Sequence, residues 1–209
     1  MTTIDNTDRT PFDWEARFRQ NDTPWERGAL HPAFHDWAKA GLFKPGLRVF
    51  IPGCGRAPEP EAFARLGLEV TGLDVSESAI AWQRQRFAEA GLEGRFLVED
   101  ALAWRPQTPF DLYYEQTFLC AIPPRQRETY EHAALEQIRP GGLLLALFMQ
   151  KAERGGPPYG CSLEAMTALF PATRWIWPQA EPVAWPHPSL GGKAELAAVL
   201  ERRAKTDES

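Results

Sequence analysis

The stretch "RVFIPGCGRAPEPEAFARLGLEVTGLD", residues 48–74, constrains the fold of this chain more than any other. Arg48 to Ile51 is a short run of strand formers bounded by a proline and a glycine, so it reads as a strand. Gly53-Cys54-Gly55 then turns the chain. Glu59 to Leu66 carries helix formers, and Gly67 supplies the left-handed cap that ends a helix. A second apolar run, Glu69 to Leu73, ends on Asp74. A strand, a helix and a strand in that order form a βαβ unit, because two parallel strands need a crossover between them. A sheet built of such units must be covered on both faces.

The alternation continues. Ser76 is a suitable N-cap for a helix running to about Ala90, with Gly91 ending it. Arg95 to Val98 and Asp111 to Tyr114 are predicted strands, and a helix is predicted from about Pro124 to Ile138. "RPGG" reads as a turn before a buried strand, Leu143 to Met149. A helix over Ser162 to Phe170 and a sixth strand over Arg174 to Trp177 follow. The pattern predicts an α/β fold with a mostly parallel sheet and helices on both faces. Two short helices, residues 12–20 and 31–42, precede the first strand, with the loop "NDTPWERG" between them. Residues 1 to about 10 read as disordered. The segment "KAELAAVLERR" is helical by propensity, with an edge strand as the rival reading.

A length of 209 residues and 44% hydrophobic content suit one sizeable domain. The net charge of -5 and the lack of a basic stripe argue against nucleic-acid binding. The longest apolar run, "LLLALFM", is too short to cross a bilayer. The opening "MTTIDNTDRTPFDW" has no apolar run of the signal-peptide kind, and Cys54, Cys120 and Cys161 are odd in number and far apart. Both point to a cytoplasmic protein. His31 and His35 share a helix face, but neither they nor any CxxC or HExxH spacing makes a metal site. Cys54 reads as a loop residue rather than a nucleophile.

In an open parallel sheet the ligand lies beyond the carboxyl ends of the strands, at the point where the strand order reverses. Glycines there let a ligand approach bare backbone. Asp74, about 20 residues further on, stands where a carboxylate accepts both hydroxyls of a ribose. A nucleoside is therefore expected. The dinucleotide pattern GxGxxG fails, because Pro58 holds the third glycine position and Glu59 puts negative charge where a pyrophosphate would lie. A nucleoside without phosphates, S-adenosylmethionine, fits better. Its adenine would meet Asp100 and Ala101 at the end of the third strand. An NAD-dependent oxidoreductase and a nucleoside-binding protein without turnover stand as the alternatives.

Five pieces then carry a family resemblance, in family order: "W...F...NDTPWERG", "PGCGRAPE", "GLDVS", "YYEQTFLCAIPPRQRETY" and "GGPPY". On these the chain resembles the thiopurine S-methyltransferase-like group of class I methyltransferases, which includes halide and thiol methyltransferases. The resemblance implies a Rossmann-like fold with a seven-stranded sheet and an antiparallel last strand, so that "KAELAAVLERR" holds an edge strand. It implies one domain over residues 1–209, with residues 1–42 as a helical lid. By the same resemblance the contacts to S-adenosylmethionine are Trp14, Phe18, Trp25, Gly53, Gly55, Asp74, Asp100, Ala101 and Glu115. Trp25 would sit over the reacting groups, with Arg127 and Tyr130 as the catalytic "R..Y" pair. Phe118 and Tyr159 would line the acceptor pocket, with Trp185 a further candidate; whether the stretch from Trp177 to Trp185 reaches the pocket is left open.

Two departures matter. Gln116 stands where animal thiopurine enzymes have an arginine, and Phe18 stands where tryptophan is usual. Without that arginine an anionic heteroaromatic acceptor loses its partner. The expected acceptor becomes a small soft nucleophile: a thiol, sulfide, selenide or halide. The expected protein is a monomer acting on a small molecule, with no nucleic-acid or membrane partner.

Overall fold

The structure, a computed structural model, describes residues 12–204. The expectation of a disordered start falls outside them. In chain order two short helices come first, α1 (Trp14–Arg19) and α2 (Pro32–Lys39). The βαβ unit follows as β1 (Arg48–Pro52), α3 (Glu59–Arg65) and β2 (Glu69–Asp74). Then come α4 (Glu77–Ala90), β3 (Arg95–Val98) and β4 (Phe110–Gln116). A single 3-10 turn at Pro124–Gln126 leads into α5 (Arg127–Gln137), and β5 (Ile138–Met149) and α6 (Leu163–Leu169) follow. The chain closes with β6 (Trp175–Ile176), β7 (Val183–Pro186) and β8 (Ala194–Arg202).

The sheet order is β3-β2-β1-β4-β5-β8-β6, with β7 also paired to β8. The neighbours from β3 to β5 are parallel, whereas β8 is antiparallel to β5, β6 and β7. The order therefore reverses between β1 and β4, and the carboxyl ends of β1, β2 and β4 surround one crevice. Along β1, Val49 and Ile51 enter one core with Phe63 and Tyr114, while Phe50 enters the other with Tyr113 and Phe148. Both faces are buried, as a parallel sheet requires.

Three expectations need correction. Eight strands form among the described residues rather than seven, because β7 arises in the proline-rich stretch where proline hides a strand from propensity. "KAELAAVLERR" is a strand, but not an edge strand, since β6 and β7 pair along the side of β8 that faces away from β5. Its apolar residues alternate: Leu196, Ala198 and Leu200 pack in one core, Ala197 and Val199 in the other. Burial on two faces outweighs helix propensity there. "RPGG" is a bulge inside β5 rather than a turn before it. Ile138 pairs with Phe110 and Leu143 with Leu112, so the residues between them loop out of register.

Polar contacts fasten the N-terminal segment. Glu15 on α1 accepts from Ser76 Oγ at 2.6 Å, Ser78 N at 3.1 Å and Ser78 Oγ at 2.6 Å at the start of α4. Arg56, in the turn after β1, donates to Asn21, Thr23 and Glu26 at 2.7, 2.9 and 2.7 Å. The segment thus lies across the strand ends.

Candidate active site

The turn after β1 uses its glycines in two ways. Gly53 and Gly55 hold φ values of +55° and +46°, a region that side chains other than glycine rarely adopt. A Cβ on Gly53 would also stand 2.5 Å from the Phe118 ring. The backbone there is bare because Phe118, in the turn after β4, presses on it. Asp74, at the end of β2, is buried and ties the two strand ends together. Its Oδ2 accepts the Gly55 N–H and its Oδ1 the Ser76 N–H, each at 2.9 Å. Burial pushes its carboxyl up to about 6, against the pull of these hydrogen bonds. Each oxygen keeps a lone pair for a ligand hydroxyl.

Two cavities meet above this turn. The first, of about 260 Å³, has Trp14, Phe18 and Trp25 on its N-terminal wall and Gly53, Asp74 and Ala101 on its floor. Phe118, Cys120, Ile122, Pro157, Pro158 and Leu190 line it as well. The second, of about 320 Å³, is more polar; Gly55, Arg27, Arg56, Glu59 and Gln116 line it. Trp25, Gly53 and Thr117 line both. The Trp25 ring is held edge-on by Trp14 at 5.3 Å and Phe18 at 5.7 Å. The Arg17 guanidinium lies 5.6 Å from it.

Of the residues expected from the sequence, Trp14, Phe18, Trp25, Gly53, Asp74, Ala101 and Phe118 line the first cavity and Gly55 the second. Five others do not line either. Asp100 is exposed and caps its own turn through Leu102 N, while its neighbour Glu99 faces the cavity. Glu115 turns inward and accepts the N–H groups of Phe118 and Leu119 at 3.0 and 2.7 Å, so it shapes the turn after β4. Tyr130 and Arg127, expected as a catalytic pair, stand outside both cavities as well. Tyr130 is fully buried among Tyr113, Phe118 and Phe170. Arg127 donates to the Gly160 carbonyl at 2.7 Å and braces the "GGPPY" loop. In that loop Pro157 and Pro158 reach the cavity, whereas the Tyr159 ring folds back over Gly156.

Trp185 packs against the core with Ala197 and Val199, and Trp177 donates to the Phe170 carbonyl, so neither lines a cavity. Sequence reasoning missed Arg17, Glu99, Thr117, Cys120 and Leu190. Thr117 and Cys120 lay inside a quoted family motif and Glu99 beside the acid chosen, while Arg17 and Leu190 carried no signal.

Two more buried carboxyls surround the site. Burial pushes Glu59 up to about 7 although the His31 N–H donates to it, and pushes Glu115 up to about 7 as well. A carboxyl whose folded pKa is raised holds a proton that the unfolded chain has lost. Its contribution to stability is therefore present near pH 5 and is lost as pH rises through 7. Urea unfolding is expected to show a loss of ~2 kcal/mol per group between pH 5.5 and 8. Glu59→Gln should remove its own share and flatten the curve. An unchanged slope in that variant would mean Glu59 is ionised throughout.

The fold is that of the class I S-adenosylmethionine-dependent methyltransferases. It superposes on the Burkholderia thailandensis 1,6-didemethyltoxoflavin-N1-methyltransferase, solved with S-adenosylhomocysteine, with a TM-score of 0.73 at 18% identity, covering 90% of this chain and 85% of that one. The magnesium protoporphyrin IX methyltransferase of Synechocystis, solved with S-adenosylmethionine, gives a TM-score of 0.65 at 14% identity over 94% and 86%. The family model for thiopurine S-methyltransferase matches residues 9–183, and the chain belongs to that family. It is 33% identical over 153 residues to a probable thiol methyltransferase of Arabidopsis thaliana, covering 72% of this chain and 67% of that protein. A Pseudomonas aeruginosa thiopurine S-methyltransferase is 27% identical over 177 residues, 75% and 80% of the two chains. The chain spans about two thirds of the length of the Arabidopsis relatives it matches.

Proposed function

We propose that the chain transfers the methyl group of S-adenosylmethionine to a small thiol or a related soft anion. The observation that carries this reading is the meeting of the two cavities at Trp25, Gly53 and Thr117, beside Asp74. Asp74 would hold the ribose, and Ala101 and Glu99 would flank the adenine. The amino-acid end would run past Gly55 into the polar second cavity. That leaves the sulfonium at the junction, against the face of Trp25, where an aromatic ring favours a cation over the neutral product. The acceptor then enters from the end closed by Cys120, Ile122, Pro157, Pro158 and Leu190.

The chemistry is an in-line displacement. An acceptor sulfur pair forms the new bond to the methyl carbon, and the old carbon–sulfur pair returns to the donor as a neutral thioether. No base is required, because a thiolate or halide is already a nucleophile. The acceptor end supplies apolar walls, with Cys120 kept as a thiol by burial. What the protein contributes is alignment and removal of water, and alignment alone can be worth ~7–11 kcal/mol. Relatives named for thiol, thiocyanate and thiopurine methylation support an acceptor sulfur or sulfur-like anion. Gln116 in place of arginine favours the small ones. An oxidoreductase reading is not supported: α3 starts with Pro58 as N-cap and a buried Glu59, which leaves no seat for a pyrophosphate.

In this reading residues 1–42 act as a lid on a single domain, and the protein works as a cytoplasmic monomer without nucleic-acid partners. No helix among the described residues is long and apolar enough to cross a membrane.

The test is release of S-adenosylhomocysteine with a panel of acceptors: a small thiol, bisulfide, iodide, thiocyanate, a thiopurine, and oxygen and nitrogen nucleophiles. Soft anions should turn over fastest. The thiol rate should rise with pH toward the thiol's own pKa, while the iodide rate should show no such rise. Turnover confined to oxygen or nitrogen acceptors would overturn the assignment.

A further inference from the structure

The backbone that carries Trp25 belongs to no helix or strand, yet the residue lines both cavities. Its fixation comes from the other end of the chain. Glu195 on β8 is fully buried, and its Oε2 accepts from Arg27 Nη1 at 2.6 Å and faces His31 Nε2 at 3.2 Å. His187, just after β7, is fully buried as well. Its Nδ1 lies 3.1 Å from the backbone nitrogens of both Ser189 and Leu190, and both donate to it. An Nδ1 that accepts carries no hydrogen, so the ring proton is on Nε2. That Nε2–H donates to the Trp25 carbonyl at 3.1 Å. Leu190 itself lines the first cavity.

We propose that His187 is a positioning residue for methyl transfer: as the neutral Nε2–H tautomer it ties the carbonyl of Trp25 to the amides that present Leu190, and so fixes the gap between the donor-side and acceptor-side walls. The proposal rests on the methyltransferase reading of the same site. The ring acts as a two-ended link. One end fastens the N-terminal segment, and the other folds the turn between β7 and β8. Protonation would put a hydrogen on Nδ1, where two N–H groups already point, and the Leu190 end of the link would be released.

The groups facing the ring come from three places. Glu195 on β8 favours the charged form, Arg27 of the N-terminal loop and His31 at the start of α2 oppose it, and burial opposes it most. The balance holds His187 below the ordinary histidine value. The link therefore stays intact at neutral pH and fails only as pH falls below about 6.5. A depressed histidine pKa stabilises the fold above that range, and this contribution is lost as pH drops through the folded value.

Two substitutions take the link apart from opposite ends. In His187→Asn the side-chain oxygen stands near Nδ1 and can keep the turn, but nothing reaches Trp25. In His187→Gln the amide nitrogen stands near Nε2 and can keep Trp25, but the turn loses its acceptor. Hydrogen exchange on the whole protein reads both ends without any turnover. Amides of residues 25–30 should exchange about 10-fold faster in His187→Asn, and those of Ser189 and Leu190 about 10-fold faster in His187→Gln. With iodide as an acceptor that does not titrate, both variants should raise the acceptor KM about 10-fold or more. Binding of S-adenosylhomocysteine should stay within about 3-fold. The wild-type iodide KM should climb as pH falls below about 6.5, and the variants' should not.

Unchanged exchange at both ends in folded variants, or an unchanged iodide KM and pH profile, would overturn the proposal. If the variants do not fold, exchange in wild-type protein decides it. After correction for intrinsic rates, Ser189 and Leu190 should lose protection first as pH falls, and loss of protection elsewhere in the chain before these two would sink the link. Absence of turnover in wild-type protein with every acceptor would instead refute the methyltransferase reading, and the exchange results would still decide the link.

Discussion

Asp74→Asn is expected to weaken S-adenosylhomocysteine binding roughly 10- to 150-fold, measured by titration calorimetry. The aspartate accepts from Gly55 and Ser76 and still presents lone pairs to the cavity. A ribose adds two hydroxyl donors to a charged, buried acceptor, and such bonds contribute about 1.5–3 kcal/mol. The amide keeps one acceptor oxygen and puts an N–H₂ where the other was. The variant should therefore fold, with some loss of stability, and bind poorly. It also separates binding from titration. Because burial raises the carboxyl to about 6, ligand affinity in wild-type protein should fall as pH drops below that value. In Asp74→Asn the slope should vanish. Equal affinities for the two proteins at pH 8 would remove the ribose from this position.

The second large effect is expected at Trp25. Its ring is half-buried and packs edge-on against Trp14 and Phe18, both within its own segment. Trp25→Ala should lower apo stability by only ~1–2 kcal/mol, below the ~3–5 kcal/mol cost of removing a fully buried large aromatic. The functional loss should be larger. Without the ring the two cavities merge, water reaches the sulfonium, and the donor loses the surface that aligns it. A misplacement of about 1 Å can cost about 100-fold, so kcat/KM should fall at least that far. Cleavage by a protease within residues 10–30 should slow in wild-type protein when S-adenosylhomocysteine is added. A large stability loss, activity per folded molecule kept, and ligand-independent cleavage would together make the segment a strap and not a gate.

The parts of this molecule legible in its sequence are those decided within a few residues. The βαβ unit around Gly53 and Asp74 was readable because strand, turn and cap signals are local. The differences between the expected site and the cavity linings have physical causes. Asp100 and Glu99 sit side by side after β3, both exposed, and it is Glu99 that lines the first cavity. Arg127 and Tyr130 carry the family pattern, but one braces the "GGPPY" backbone and the other fills the core. A motif records that a residue matters without saying which way it points. Leu190, His187 and Glu195 gave no local signal at all, since their partners are brought to them by the sheet. The strand β8 was hidden for a related reason. Its Ala, Leu and Glu favour a helix until two cores claim alternate residues.

The placement of β8 has a consequence for synthesis of the protein. Arg27, in the loop that holds Trp25, leaves the ribosome well before Glu195, which grips it from 168 residues further along the chain. β8 also fills the gap between β5 and β6, so the sheet stays open until it arrives. A nascent chain holds the whole βαβ unit of residues 48–74 long before β8 is made. A chain cut short before Ala194 would therefore keep the turn at Gly53 and Asp74 while its N-terminal segment lacked the Glu195 partner of Arg27.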